Sequence, residues 1–126
     1  MRYQTDRQRV RGLGTAHEGV GHWWSQRVTA VALALLGVLF IFPLVRALGS
    51  DWASVQATYA KPFNAIVAIL FFLVGFLHLQ QGIQVVIEDY VHDKPVRTAA
   101  LVANTLICWG LAFTGIFAVA SLAFAL

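Results

Sequence analysis

Residues 28–45, 63–87 and 98–124 form three long runs without a single charged side chain. A helix rises about 1.5 Å per residue and the hydrocarbon core of a bilayer is about 30 Å thick, so roughly 20 apolar residues cross it. The second and third runs exceed that length, and the first reaches it once Arg27 and Arg46 extend their side chains toward the headgroups. Composition agrees with a membrane protein: of 126 residues, 59% are hydrophobic and 12% charged, where a soluble domain carries about 25% charged residues. The expected fold is all-α, three transmembrane helices at about 25–47, 63–90 and 97–124 in an up-down-up bundle. Residues 1–24 read as a short cytoplasmic N-terminal arm and 25–126 as the three-helix transmembrane domain, with no room for a soluble catalytic domain.

The charge distribution orients this bundle. Much of the net charge of +3 comes from the arm, with Arg2, Arg7, Arg9 and Arg11. A basic arm can serve nucleic acid, but beside a spanning helix it sets topology, because positive charge is retained on the cytoplasmic side. Arg27, Lys94 and Arg97 fall on the arm's side of the bundle, against Arg46 and Lys61 on the other. The N-terminus is therefore expected in the cytoplasm and the C-terminus in the periplasm of a bacterial inner membrane. The arm does not read as a cleavable signal peptide, since its apolar segment starts late, is too long and follows no small-residue cleavage site. Cys108 is the lone cysteine, which excludes an intrachain disulfide and leaves a small buried hydrophobe.

Punctuation residues refine the picture. Trp23 and Trp24 precede the first span as interfacial indoles do. Pro43 is expected to kink the end of that span, Pro62 to open the second, and Pro95 to break the chain before the third. Thr29, Ala30, Ala34 and Gly37 form a small-residue strip suited to close helix contact. Residues 49–62 read as a short polar connection.

The chemistry lies in the second span. His78 stands well inside it, and an imidazole in hydrocarbon needs a partner and marks a functional site by default. Its helix face collects Phe71, Gly75, Gly82, Val85 and Asp89 at helical spacing. Glycines before and after the imidazole would leave a flat cleft for a planar group such as haem, whose iron takes histidine as an axial ligand. An interhelical hydrogen bond, with the glycines serving only close packing, and a proton-relay role are the competing readings. One convincing mid-membrane histidine means that a six-coordinate haem would need its second ligand from another subunit. Gln80, Gln81 and Gln84, on other faces, read best as hydrogen-bonding partners for neighbouring helices.

At the end of the span stand Asp89 and Tyr90, about 18 Å beyond His78 along the axis. They can be a solvated helix-end charge and an aromatic-belt anchor. Alternatively they form a quinone site, the phenol donating to a quinone carbonyl while the carboxylate orients donors or relays protons. His22 and Arg27, on the same side, can pair with haem propionates or simply anchor the topology.

Two patterns, together with the order of the spans, resemble the hydrophobic membrane anchor subunits of succinate dehydrogenase, respiratory complex II. One is His78-x3-Gly82-x6-Asp89-Tyr90; the other is Gly21-His22 followed by Arg27-Val28-Thr29-Ala30. The resemblance covers nearly the whole chain, with His17 a rival to His22 and Gln80 and Gln81 a polar departure. It implies a subunit, not catalytic by itself, of a succinate:quinone oxidoreductase with a flavoprotein subunit, an iron–sulfur subunit and a companion three-helix cytochrome b anchor. It further implies a haem b shared between the two anchors, with His78 as axial ligand, Gly75 and Gly82 at its cleft, and His22 and Arg27 at its propionates. Tyr90 and Asp89 would contact a quinone such as ubiquinone. The reading from another class is a small transporter or proton-coupled carrier with His78 as its titrating group. Signatures of soluble enzymes, such as a Gly-rich phosphate loop, CxxC, HExxH or a nucleophile elbow, do not occur.

Overall fold

The computed structural model describes residues 5–12 and 19–124; Arg2 and His17 lie outside them. The described chain is all-helical: α1 (Asp6–Arg11), α2 (Val20–Ala47), α3 (Trp52–Tyr59), α4 (Pro62–Tyr90) and α5 (Lys94–Phe124). With 28, 29 and 31 residues, α2, α4 and α5 are each long and apolar enough to cross a membrane. Their lengths, roughly 42 to 47 Å, exceed the hydrocarbon thickness and carry both ends into the headgroup layers.

Helix ends depart from the expected positions for local reasons. α2 starts at Val20, well before the apolar run, behind Gly19 at φ 102°, a conformation that L side chains rarely adopt. His22 to Arg27 are therefore helical and in register with the span that follows. Apolar counting finds where hydrocarbon begins, whereas the hydrogen-bond ladder begins at its own cap. α2 also runs on through the buried Pro43 to Ala47. The connection expected over 49–62 contains α3, whose N-cap Asp51 accepts a hydrogen bond from the Ser54 N–H at 3.2 Å. Hydrogen bonds from Ser54 hold the Asp51 carboxyl below its usual pKa. Pro95 lies in the first turn of α5, where the missing N–H is harmless, and Asp93 accepts from the Val96 N–H at 3.0 Å.

α4 is the middle of the molecule. It packs against α2 and against α5, which do not contact each other, and α3 touches all three. Tyr59 of α3 is buried with Ala65, Ala68 and Val119 at that end of the bundle, and burial raises the pKa of its phenol. Along the α4–α5 seam, Phe72 lies so close to Gly115 that a Cβ there would fall 2.8 Å from the ring. Further along, buried Asn104 donates to the Gln80 carbonyl at 2.9 Å, and the buried Cys108 thiol donates to Asn104 Oδ1 at 3.4 Å.

The α2–α4 seam uses Gln26, Thr29, Leu33, Gly37 and Phe40, spaced three or four residues apart as one helix face requires. Phe40 stacks on Phe71 with centroids 4.5 Å apart, and Gly37 lies beside Phe71. Of the expected small-residue strip, Thr29 and Gly37 face α4, while Ala30 and Ala34 are exposed on the chain.

Candidate functional site

His78 points from α4 toward α2, half-buried, with both ring nitrogens near side chains of that helix. Nδ1 is 2.9 Å from Thr29 Oγ1 and Nε2 is 3.5 Å from the Gln26 amide nitrogen. The Thr29 hydroxyl is also within hydrogen-bond range of the Ser25 carbonyl at 2.9 Å and the Gln26 carbonyl at 3.1 Å. One turn away, Gln81 donates to Ser25 Oγ at 2.7 Å. The interhelical hydrogen bond anticipated for the imidazole is thus present, and it engages Nδ1 at good length while the contact at Nε2 is long.

Beside this contact lies a cavity of about 700 Å³, partly open to the outside of the bundle. That volume is in the range of about 300–1,000 Å³ usual for cofactor and ligand sites. His22, Gln26, Arg27, His78, Gln84 and Glu88 are its polar lining, and Trp23, Ala30, Val31 and Val85 line it with apolar surface. Apart from Gly19 at the start of α2, all these residues belong to α2 and α4, so this chain supplies walls on one side only. Two polar atoms here, His22 Nε2 and Gln26 Oε1, are buried without a hydrogen-bond partner, an arrangement that native proteins rarely leave unexplained. The Arg27 guanidinium carbon sits 4.6 Å from the centroid of the Trp23 ring, a cation–π contact that fixes the cation at the cavity edge.

The residues singled out from sequence fall into three groups. His78, His22 and Arg27 come together at the cavity. Gly75 and Gly82 do not line it: a Cβ at Gly82 would meet the Gln26 side chain at 3.5 Å and one at Gly75 would meet Leu33 at 3.7 Å. These are ordinary van der Waals distances; Gly75 also lines a smaller apolar pocket with Phe71, Phe72, Phe76 and Leu79, and the larger open space lies toward Val85 and Glu88. Tyr90 and Asp89 are at the end of α4, outside the cavity, with Tyr90 78% exposed and its carbonyl 3.1 Å from His92 Nδ1. The glutamines behave as interhelical partners: Gln81 reaches Ser25 on α2, and Gln80 reaches Thr105 on α5 at 3.5 Å. Gln84 instead donates within α4 to Glu88 at 2.9 Å.

Gln26, Gln84 and Glu88 were not anticipated as site residues, and Thr29 was read as a small residue and as part of the Arg27-Val28-Thr29-Ala30 pattern, without a role at His78. The signal was present in their spacing. Gln26 and Thr29 are one turn apart at the entry to the first span, and Gln84 and Glu88 one turn apart at the exit of the second. In an up-down pair of helices these ends lie together.

Among the described residues no three His, Cys, Asp or Glu side chains gather to hold an ion. The family described as succinate dehydrogenase/fumarate reductase transmembrane subunit matches residues 1–121. The chain belongs to this family. It is 37% identical over 120 residues to the succinate dehydrogenase hydrophobic membrane anchor subunit of Paracoccus denitrificans, covering 95% of this chain and 92% of that one. The anchor subunit of Rickettsia felis is 32% identical over 92 residues, covering 73% and 77%, and that of Rickettsia typhi 30% over 94 residues, covering 75% of each. No solved structure gives a significant match. The chain is thus a multi-pass membrane anchor of the succinate dehydrogenase type, and the cavity is a feature of that anchor.

Proposed function

We propose that this anchor subunit holds a haem b at the α2–α4 cavity through His78 Nε2 and forms part of a quinone-reduction site with Tyr90 and Asp89. The observation that carries the first half is the coincidence of three features at one place: an imidazole with a nearly free Nε2, a cavity of about 700 Å³, and two unpartnered buried polar atoms. The donor set fits. His78 offers the neutral nitrogen an iron porphyrin takes as axial ligand, and His22 and Arg27 at the cavity edge offer donors to carboxylates. Gly82 and Gly75 lie beside Gln26 and Leu33 of α2, on the helix face that carries the imidazole. Bound there, a haem supplies a one-electron carrier whose potential is set by axial ligation and burial.

A cavity walled by α2 and α4 alone needs a second wall, which supports a companion cytochrome b anchor bringing the other axial ligand. Basic residues clustered at the α2 entry and the α4–α5 turn support a cytoplasmic N-terminus. Tyr90 then faces the cytoplasm, where an iron–sulfur subunit carrying electrons from a flavoprotein would dock. Its exposed phenol donates a hydrogen bond to a quinone carbonyl, and the Asp89 carboxylate beside it orients the donor and passes protons from water.

A reduced-minus-oxidised spectrum of the purified four-subunit complex tests the haem assignment. His78→Ala is expected to abolish the b-type signal; a signal of unchanged size and position removes His78 from it. For the quinone site, Tyr90→Phe is expected to leave assembly intact and slow succinate:quinone turnover by roughly 2- to 10-fold, the worth of one hydrogen bond of about 0.5–1.5 kcal/mol. Unaltered quinone kinetics would return Tyr90 to the aromatic belt.

A further inference from the structure

We infer that Thr29 is a positioning residue for His78, holding the imidazole in the tautomer that leaves Nε2 unprotonated and turned to the cavity. The inference rests on the proposal that His78 is an axial ligand, and it concerns the hydroxyl that makes it one. Three acceptor or ambivalent groups converge on the single Thr29 proton: the Ser25 carbonyl at 2.9 Å, the Gln26 carbonyl at 3.1 Å and His78 Nδ1 at 2.9 Å. A carbonyl can only accept, whereas a ring nitrogen can accept or donate, and a threonine hydroxyl has one proton to give and lone pairs to receive. All three contacts are satisfied in one arrangement. Thr29 donates back to its own helix, as a helical threonine commonly does, and His78 Nδ1–H donates to Thr29 Oγ1.

That arrangement places the lone pair on Nε2. The nearest group to it is the Gln26 amide nitrogen, a donor at the long distance of 3.5 Å, and the carbonyl oxygen of the same amide is buried without a partner. Gln26 is therefore a weak and exchangeable cover over Nε2, while Thr29 is a fixed anchor at Nδ1. With the proton on Nε2 instead, Nδ1 would have to accept from a hydroxyl that two carbonyls also approach, and Nε2–H would find an acceptor only if the Gln26 amide turned over, at the long distance of 3.5 Å. Histidines that bind metals nearly always donate their other ring N–H to such an anchor, and losing the anchor typically weakens binding about 10- to 100-fold.

Thr29→Val removes the hydroxyl with little change of shape. In the purified complex it is expected to speed transfer of haem to excess apomyoglobin by about 10- to 100-fold, with Thr29→Ser restoring wild-type release. A second readout does not depend on loaded haem. In wild-type complex from haem-deprived cells labelled with ¹⁵N-histidine, the His78 ring should carry its proton on Nδ1, and Thr29→Val should move population to Nε2–H. Wild-type release from the Thr29→Val complex, or a wild-type His78 protonated on Nε2, overturns the inference. If Thr29→Val does not assemble, the wild-type tautomer alone decides. The two readings fail separately: a b-type signal that survives His78→Ala sinks the haem assignment, whereas a signal lost in His78→Ala together with haem release unchanged by Thr29→Val sinks only the role given to Thr29.

Discussion

The face of α4 that meets α5 is closed by shape, and the face that meets α2 is held by polar contacts around an open space. On the α5 side, Phe72 fills the position of the missing Gly115 side chain, Cys108 and Ala112 are buried, and Asn104 is bonded through both ends of its amide. On the α2 side, Pro43 is the only buried residue α2 contributes among those described, and three polar atoms, of His22, Gln26 and Gln81, are buried unpartnered. Lipid tails are as apolar as the helices, so packing and hydrogen bonds, not hydrophobic burial, hold such helices together. The α5 seam has used both. The α2 seam leaves polar atoms unpartnered at the end where the cavity opens.

Substitutions at Gly115, Asn104 and Gln81 break or sharpen this contrast, and one at Asp51 probes a helix cap outside it. The largest effect is expected from Gly115→Leu, because even its Cβ would overlap Phe72. Overpacking of this kind destabilises by about 1–3 kcal/mol, which a lowered thermal midpoint of the complex would register. A midpoint like wild type would mean that the α5 seam is as loose as the α2 seam.

Next come the paired substitutions Asn104→Leu and Gln81→Leu, each deleting one interhelical hydrogen bond. Such bonds contribute about 0.6 kcal/mol on average and up to about 1.7. Asn104→Leu should approach the upper figure, since both ends of its amide are engaged. Gln81→Leu should have the smaller effect, because it also removes a buried carbonyl oxygen that lacks a partner. Denaturation of the two variants side by side reads the difference, and equal losses would erase the distinction between the faces.

The smallest effect is at Asp51, away from both seams. Its folded pKa is lowered by the hydrogen bonds from Ser54. The stability it lends α3 is therefore complete above the ordinary carboxyl range near pH 4 and is lost as pH falls through the lowered folded value. Protection of the Ser54 amide, measured as its exchange rate relative to the intrinsic rate at the same pH, should fall over that acid window in the wild type and be low at all pH values in Asp51→Ala.

Much of this was legible in the chain itself. The three spans follow from apolar runs, and membrane thickness leaves few alternatives to them. His78, His22 and Arg27 stood out because a nitrogen base inside an apolar run, or a cation at its edge, is conspicuous against its neighbours, and the three line one cavity. α3 was not found, because its eight residues lack a long periodic pattern and depend on the Asp51 cap. The surroundings of the glycines were not legible for a different reason. Spacing shows that Gly75 and Gly82 share the His78 face, but not that Leu33 and Gln26 of another helix would lie beside them.

The amino-acid order by itself determined which segments enter the bilayer and which side chains are anomalous there, since transfer from water to hydrocarbon is paid residue by residue. Tertiary structure alone decided that His78 Nδ1 meets Thr29 at 2.9 Å and Nε2 meets Gln26 at 3.5 Å, and that the cavity lies toward Glu88. Those outcomes depend on how α2 is rotated against α4. That rotation is set by the joint fit of Phe40 to Phe71, Gly37 to its ring and Thr29 to the imidazole, contacts between residues far apart in the chain.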